Sequence, residues 1–453
     1  MSNPQVLASD IRKFVIFPTN GGKEVDIYNL VQNLTYYENI LSNSLTLSVI
    51  IADSGGLEFQ KEKNIGLIDG LPIRGGERVV IEFSDSQEPK NTLSFSTQSF
   101  YVNRIVGASP GTQKDLFILE LCTREFLANE QTRVVKRYDG KISDNVIQIL
   151  QDKNGLNTTK NIDADPTVIP YNFIGNDRKP FYVCTWLGTR GVPEQSGKIN
   201  SAAGYFFFET YDGFKFKSID VLLGQKPKEM EVNGKKTPKK YIYTNAPNIN
   251  QSKEYTSKIL SVTIERDIDL QKNISVGTYA NRSLFFDLYS MDYEVRNYNL
   301  KFNQIDGITP AEENVLFVPD EFTQAPSRLM NLILDYGTMP SGNTPNEQLK
   351  TWKNDPKYAN YDAPKLMVQS IMRYNQLYTI KTNIIIPGDF SLRAGDIIEC
   401  YFPDLEKSVK KEPNEQTQGK YLIASLCHRV TPEDTYTSLT LIRDSFNATQ
   451  EIN

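Results

Sequence analysis

Residues able to do acid–base or nucleophilic chemistry are few here, and badly spaced for it. The chain has one histidine, His428, so a Ser-His-Asp or Cys-His centre would have to use it. Cys427 precedes it in a strand pattern. Adjacent strand residues point to opposite faces, so the two make a poor dyad and His428 reads as a structural residue. Glu209 and Asp212 could be a glycosidase carboxylate pair. They flank an aromatic hairpin, though, and read as a strand-end charge and a turn aspartate. Asp53-Ser54-Gly55-Gly56 lacks the GxxxxGK[ST] pattern of a phosphate cradle and reads as a loop after a strand. Cys122, Cys184, Cys400 and Cys427 form no CxxC pair. That excludes a disulfide scaffold and argues against a Cys-based zinc site. No catalytic, cofactor-binding or metal residue is assigned, and neither enzyme activity nor a cofactor is expected.

Composition points the same way. At 453 residues the chain can hold about two to four domains with real cores. It is 39% hydrophobic and 23% charged, which suits a folded soluble protein. Lys plus Arg is 50 and Asp plus Glu 55, so the net charge of 50 − 55 = −5 argues against a phosphate-hugging nucleic-acid binder. One stretch runs against that balance: Lys226, Lys228, Lys235, Lys236, Lys239 and Lys240 sit among Pro227, Gly234 and Pro238. It reads as a solvated linker or loop, because no aromatic platform is interleaved for anion or base binding. Met1 to Asp10 is polar, and no run approaches the roughly 18 apolar residues of a membrane span, so neither a secretory signal nor a span is expected. Four scattered thiols suit a reducing compartment. The 24 Tyr and 23 Phe point to β-rich cores and broad protein interfaces.

The elements follow from periodicity. Leu45, Leu47, Val49 and Ile51 alternate with Ser44, Thr46, Ser48 and Ile50, and Val79, Ile81 and Phe83, and Phe117, Leu119 and Leu121, show the same period. Pro110-Gly111 is a turn between two strands. Ser143 is placed to cap a helix through Val146, Ile149 and Leu150, and a second helix is expected over Pro180–Leu187. The run Tyr205-Phe206-Phe207-Phe208, then Asp212-Gly213, then Phe214 and Phe216 is a hairpin signal. Strands return over about 241–305. Leu329, Leu332 and Ile333 suggest a helix, and Asp362 and Pro364 open another through Leu366, Met367, Ile371 and Tyr374. Tyr378, Ile380, Thr382, Ile384 and Ile386 then share one strand face before Pro387-Gly388 turns the chain.

A weak duplication is the most informative feature. GGERVVIEF (75–83), FYVNRIV (100–106) and DLFILELCTREF (115–126) are echoed by AGDIIECYF (394–402), KYLIASL (420–426) and TYTSLTLIRDSF (435–446). Gly76-Glu77 matches Gly395-Asp396, Leu119 matches Leu439, and Leu121 matches Leu441. Tyr101 to Phe126 and Tyr421 to Phe446 span the same length. Two similar β-units in one chain suit a ring, in which a trimer presents 2 × 3 = 6 equivalent barrels.

VDIYNLVQNLTYYENILSNSLTLSVIIADSGGL (25–57), followed by LPIRGGERVVIEF, resembles the first tube domain of central hub proteins in contractile phage tail baseplates. IIIPGDFSLRAGDIIECYF and GKYLIASLCHRVTPEDTYTSLTLIRDSF are similar to their second tube domain, and GYFFFETYDGFKFKSIDVLL to the inserted domain between them. The hub part of type VI secretion spike proteins shares the plan. The resemblance implies a mainly β fold with α+β insertions, built as two similar antiparallel β-barrel tube domains. Its boundaries would be 1–126 for the first barrel, 127–240 for the inserted α+β domain, 241–305 with 378–453 for the second barrel, and 306–377 for a mixed loop and helix insertion. It implies a non-enzymatic homotrimer with pseudo-sixfold symmetry. That ring joins a threefold central spike to the sixfold tail tube, and contacts tube initiator and baseplate wedge proteins. DNA passes through the lumen without specific binding, and the ring resides in the virion after assembly in the host cytoplasm. The alternative is a carbohydrate-binding or depolymerising tail protein using Phe206–Phe208, Glu209 and Asp212.

Overall fold

Alternating runs become strands where one face can be buried. The computed structural model describes residues 9–19, 21–57, 60, 65–71, 73–85, 91–109, 111, 114–194, 203–232, 235–243, 257–266, 269–287, 291–299, 319, 321–322, 325–333, 360, 363–378, 380–402 and 417–444. The first set of strands is β1 (Asp10–Phe17), β2 (Val25–Asp26), β3 (Val31–Asn39), β4 (Thr46–Asp53), β5 (Arg78–Ser84), β6 (Thr92–Ser94), β7 (Phe100–Ser109) and β8 (Asp115–Thr123). They pair antiparallel in the order β3–β4–β8–β7–β5–β1. The alternating residues of β4, β5 and β8 named above are all buried.

After β8 comes a unit with its own core. It holds β9 (Arg137–Tyr138), β10 (Ile162–Ala164), β11 (Phe173–Ile174), β12 (Tyr205–Thr210), β13 (Gly213–Ser218) and the helices Arg124–Gln131, Ile142–Gln151, Pro180–Gly188 and Ile219–Gly224. The helix at 142–151 starts at Ile142 without a side-chain cap. Ser143, expected as that cap, instead exchanges hydrogen bonds with Thr167. The aromatic hairpin forms, but its two loop residues are Tyr211 and Asp212, because Gly213 already pairs with Thr210. Gly213 has φ +112°, and a Cβ there would lie 2.2 Å from the Asn161 carbonyl oxygen, so only glycine fits. Both faces of β12 are covered. Tyr205 and Phe207 enter the core of this unit, whereas Phe206 and Phe208 pack on Ile397, Leu422 and Ile442.

The lysine-rich stretch is not a loop. It forms the hairpin β14 (Glu229–Val232) and β15 (Lys235–Pro238). Lys228 and Lys239 pair with Asp396 and Asp389, and Lys240 with Glu399. Half of the six lysines thus clasp acidic residues of the strand Ile397–Tyr401 and of the segment leading into it.

The second set is β16 (Lys240–Tyr243), β17 (Lys258–Ile259), β18 (Ser261–Arg266) and, after an excursion, β22 (Ile380–Pro387), β23 (Ile397–Tyr401), β24 (Gly419–Val430) and β25 (Thr435–Arg443). The excursion carries β19 (Ala280–Asp287), β20 (Asp292–Asn299) and β21 (Arg328–Ile333). Two expectations fail here. Residues 280–299, assigned to the second barrel, pair with β21 in a separate three-stranded sheet. Leu329, Leu332 and Ile333 lie in that strand rather than in a helix. Their spacing fits either period, and pairing with β19 decides it. Behind this sheet, Met330 and Tyr298 pack on Val368 and Met372 of the helix Ala363–Leu377. Pro110, Asp362, Phe446 and much of 306–377 fall outside the described residues.

The duplication is visible as topology. The order β3–β4–β8–β7–β5 recurs as β18–β22–β25–β24–β23, antiparallel throughout. A one-residue bulge sits between Val102 and Arg104 opposite β8, and another between Ile423 and Ser425 opposite β25. The entering turns match too. Gly76 and Gly395 have φ +88° and +90°, and donate to the carbonyls of Val102 and Ile423 at 2.7 and 2.8 Å. Glu77 and Asp396 each accept a backbone N–H from three residues earlier, at 2.9 and 3.0 Å. The matched lengths need one correction. Through the ladders, Val102 corresponds to Ile423, so Tyr101 aligns with Leu422 rather than Tyr421.

One 15-stranded sheet contains both sets, because β24 pairs antiparallel with β3 from Ser425↔Asn39 to Val430↔Leu34. A single hydrophobic core runs through both. Leu119 and Leu439, twins in the two sets, are both fully enclosed. Truncating either to alanine is expected to cost roughly 3 kcal/mol, read as a matching drop in urea-denaturation midpoint for the two variants.

Candidate functional site

The residues with chemical potential are not gathered at one place. Cys427 lies half-buried on the outer face of β24, while His428 points into the core. The His428 ring stacks on Tyr36 at 5.9 Å, meets Phe390 edge-on at 5.0 Å, and its Nδ1 lies 2.9 Å from Thr437 Oγ1. Burial, then the Arg393 charge, push its pKa down to about 3, with Asp389 pulling the other way. Glu209 and Asp212 diverge: Glu209 is buried, and Asp212 reaches out to Arg393 at 3.3 Å. Phe206, Phe207 and Phe208 are all enclosed, so none can stack on a sugar. Asp53 organises its own loop, accepting from Gly55 N, Gln60 Nε2 and Leu67 N.

The structure instead brings together buried charges at the joints between units. Glu38, on the inner face of β3, accepts from the Tyr36 hydroxyl at 2.6 Å, Tyr211 N at 2.8 Å and Ala394 N at 2.8 Å. One carboxylate thus ties the first strand set, the aromatic hairpin and the second set. Burial raises its pKa, against the opposing pull of Arg393. Nearby, Lys160 bridges Glu209 at 2.5 Å and Glu125 at 2.9 Å. Glu209 also accepts from Leu45 N and Thr123 Oγ1. Burial drives the Glu209 pKa up; at Glu125 burial pushes the same way, but the Lys160 charge and the hydrogen bonds from Lys160 and Thr158 together hold it down. Farther along, Arg373 reaches Asp444 at 3.1 Å and Asp220 at 3.4 Å. Sequence reasoning missed these joints. A signal existed for one of them: Leu34, Tyr36 and Glu38 share a period-2 face, and an acid in a core register needs donors.

Where β24 meets β3, the outer sheet face forms a groove of about 710 Å³. Thr46, Thr263, Ser261, Ser425, Ser438 and Thr440 line much of it, and Glu38, turned inward, is its one charged residue. Such a wall can hydrogen-bond but has no cation to grip phosphate. A different surface is apolar: on the β19–β20–β21 sheet, Phe286, Tyr293, Val295, Leu329 and Ile333 share one face and are 41–65% exposed. Patches of this kind mark protein contacts. Among the described residues no group of three or more His, Cys, Asp or Glu is placed to hold a metal ion, and no helix is long and apolar enough to cross a membrane.

No family model matches the chain. Over 421 residues it is 19% identical to the probable baseplate hub protein gp334 of Vibrio phage KVP40, covering 89% of this chain and 91% of that one. The chain is similar to a phage baseplate hub protein over nearly its whole length. The resemblance read from the motifs is thereby borne out. The tail protein of Neisseria meningitidis MC58 shares the fold, with a TM-score of 0.53 at 10% identity over 96% of this chain and 97% of that one. A looser overlay, with a TM-score of 0.41 at 8% identity, covers 98% of this chain and 80% of an E. coli component of the type VI secretion system.

Two outcomes follow from the buried charges. Lys160→Ala strands two carboxylates without their cation and is expected to destabilise the fold by roughly 3–5 kcal/mol in urea denaturation. His428 is neutral in the fold, against an unfolded pKa of about 6.5. Its contribution is therefore complete above about pH 6.5 and is lost as the pH falls toward about 3, because only the unfolded chain binds the proton there. A His428→Phe variant should lose less stability between about pH 7 and about pH 4, compared by urea midpoints.

Proposed function

We propose that this chain is a non-enzymatic structural hub of a contractile phage tail baseplate, acting as a homotrimer. The observation that carries the reading is the repeated five-strand order with its matched bulge and entering turns. Two equivalent barrels in each of three chains make a pseudo-sixfold ring, able to sit between a threefold spike and a sixfold tube. The likeness to a baseplate hub protein along nearly the full length supports the same reading. So does the hydroxyl-lined groove spanning both strand sets, since a channel wall without cations lets a polyanion pass without holding it. The exposed apolar face of β19–β20–β21 suits an outward contact with wedge proteins. The spike and the tube initiators would bind the two ends of the ring, in a virion assembled in the host cytoplasm.

Native mass spectrometry of the purified chain is expected to give the mass of three copies. A monomer at every concentration, alone and co-expressed with its spike, would count decisively against the proposal.

A further inference from the structure

The junction between the two strand sets carries an instruction for joining one chain to the next. Inside the chain, β24 of the second set pairs with β3 of the first. The twin of β24 is β7, and the twin of β3 is β18. Among the described residues, β7 meets β5 only at Phe100 and Tyr101, and pairs with no strand on that side from Asn103 onward. Among the described residues, β18 pairs with β22 alone. Each chain therefore presents, among the described residues, one free copy of each half of its own internal junction.

Burial says the same at single residues. Ladder by ladder, Leu34 pairs with Val49 and Val49 with Leu119, as Val262 pairs with Ile384 and Ile384 with Leu439. So Val262 is the twin of Leu34, and Ile264 of Tyr36. The matched bulge makes Ile105 the twin of Leu426. Leu34, Tyr36 and Leu426 are at most 1% exposed at the internal junction. Val262, Ile264 and Ile105 touch the core but stay half-buried at the free edges.

We propose that β7 of one copy pairs antiparallel with β18 of a second copy, repeating the internal β24–β3 ladder between chains. This rests on the trimeric reading above and specifies its interface. Transferring the internal register puts Ile105 opposite Arg266 and Val106 opposite Glu265. Beyond Val106 a bulge in β7 ends the match with β24. Arg104 and Glu265 of the neighbouring copy fall diagonally across the ladder, about 7–8 Å between backbones and within reach of opposite charges. The contact is head-to-tail, so it closes into a ring when its rotation matches that between the two halves of one chain. It also removes two free strand edges per chain that would otherwise invite aggregation.

Facing residues in an antiparallel ladder have Cα atoms about 4.5–5.5 Å apart, within disulfide reach. The full-length double variant Val106→Cys/Glu265→Cys is therefore oxidised and run on a denaturing gel without reductant. The expected result is a shift from the mass of one chain to that of three, reversed by dithiothreitol and absent in either single variant. An Ile264→Lys variant, checked for an unchanged circular dichroism spectrum, should shift native mass spectra from trimer to monomer. A trimer that forms without the cross-link overturns the proposed ladder and leaves the trimeric reading standing. A double variant that stays monomeric alone and co-expressed with the spike, like the parent chain, overturns both.

Discussion

A buried strand edge must have its N–H and C=O groups paired, and β24 meets that demand against two partners on one side: β23 near its start and β3 beyond the bulge. Everything else in the architecture depends on this shared edge. It makes one sheet of two strand sets and lets one hydrophobic core run through both. It also sets the outer faces side by side, so that the groove at their meeting line draws residues from each set. The bulge matters because it is where the strand stops facing its own unit and begins to face the other. Bulges sharpen local twist and bend, which suits a strand that changes partners there.

The joint is held by more than the ladder. Glu38 sits at the start of the same junction and accepts donors from the aromatic hairpin and from the turn before β23. A buried carboxylate contributes little net stability, since desolvation offsets much of what its hydrogen bonds return. Its geometry is demanding, however, and only one arrangement of the three units supplies all three donors. The Lys160, Glu125 and Glu209 cluster works likewise between the first strand set and the insertion. Apolar packing between units tolerates sliding and rotation. Such charges do not, so they fix how the two strand sets and the insertion sit against one another.

The aromatic hairpin fits that picture. Its strand β12 looks polyspecific in sequence because four aromatics in a row could serve a ligand as easily as a core. With Tyr205 and Phe207 in one core and Phe206 and Phe208 in another, it is instead the wall between the insertion and the second strand set.

Much was legible before any coordinates. Period-2 runs located β4, β5, β8 and β22, because a half-buried strand leaves a strong pattern. The duplication was readable from Gly76-Glu77 against Gly395-Asp396, since a left-handed turn tolerates few residue types. The lysine-rich segment and Leu329–Ile333 were misread, because a short charged hairpin and a short strand completed by a distant partner leave no local period. Tyr101 and Tyr421 fell one place out of register, as sequence spacing cannot see where a bulge takes up a residue. What the chain determined alone was two similar β-units. What only the tertiary structure decided was which edges meet and which charges are enclosed, because pairing and desolvation depend on residues hundreds of positions apart.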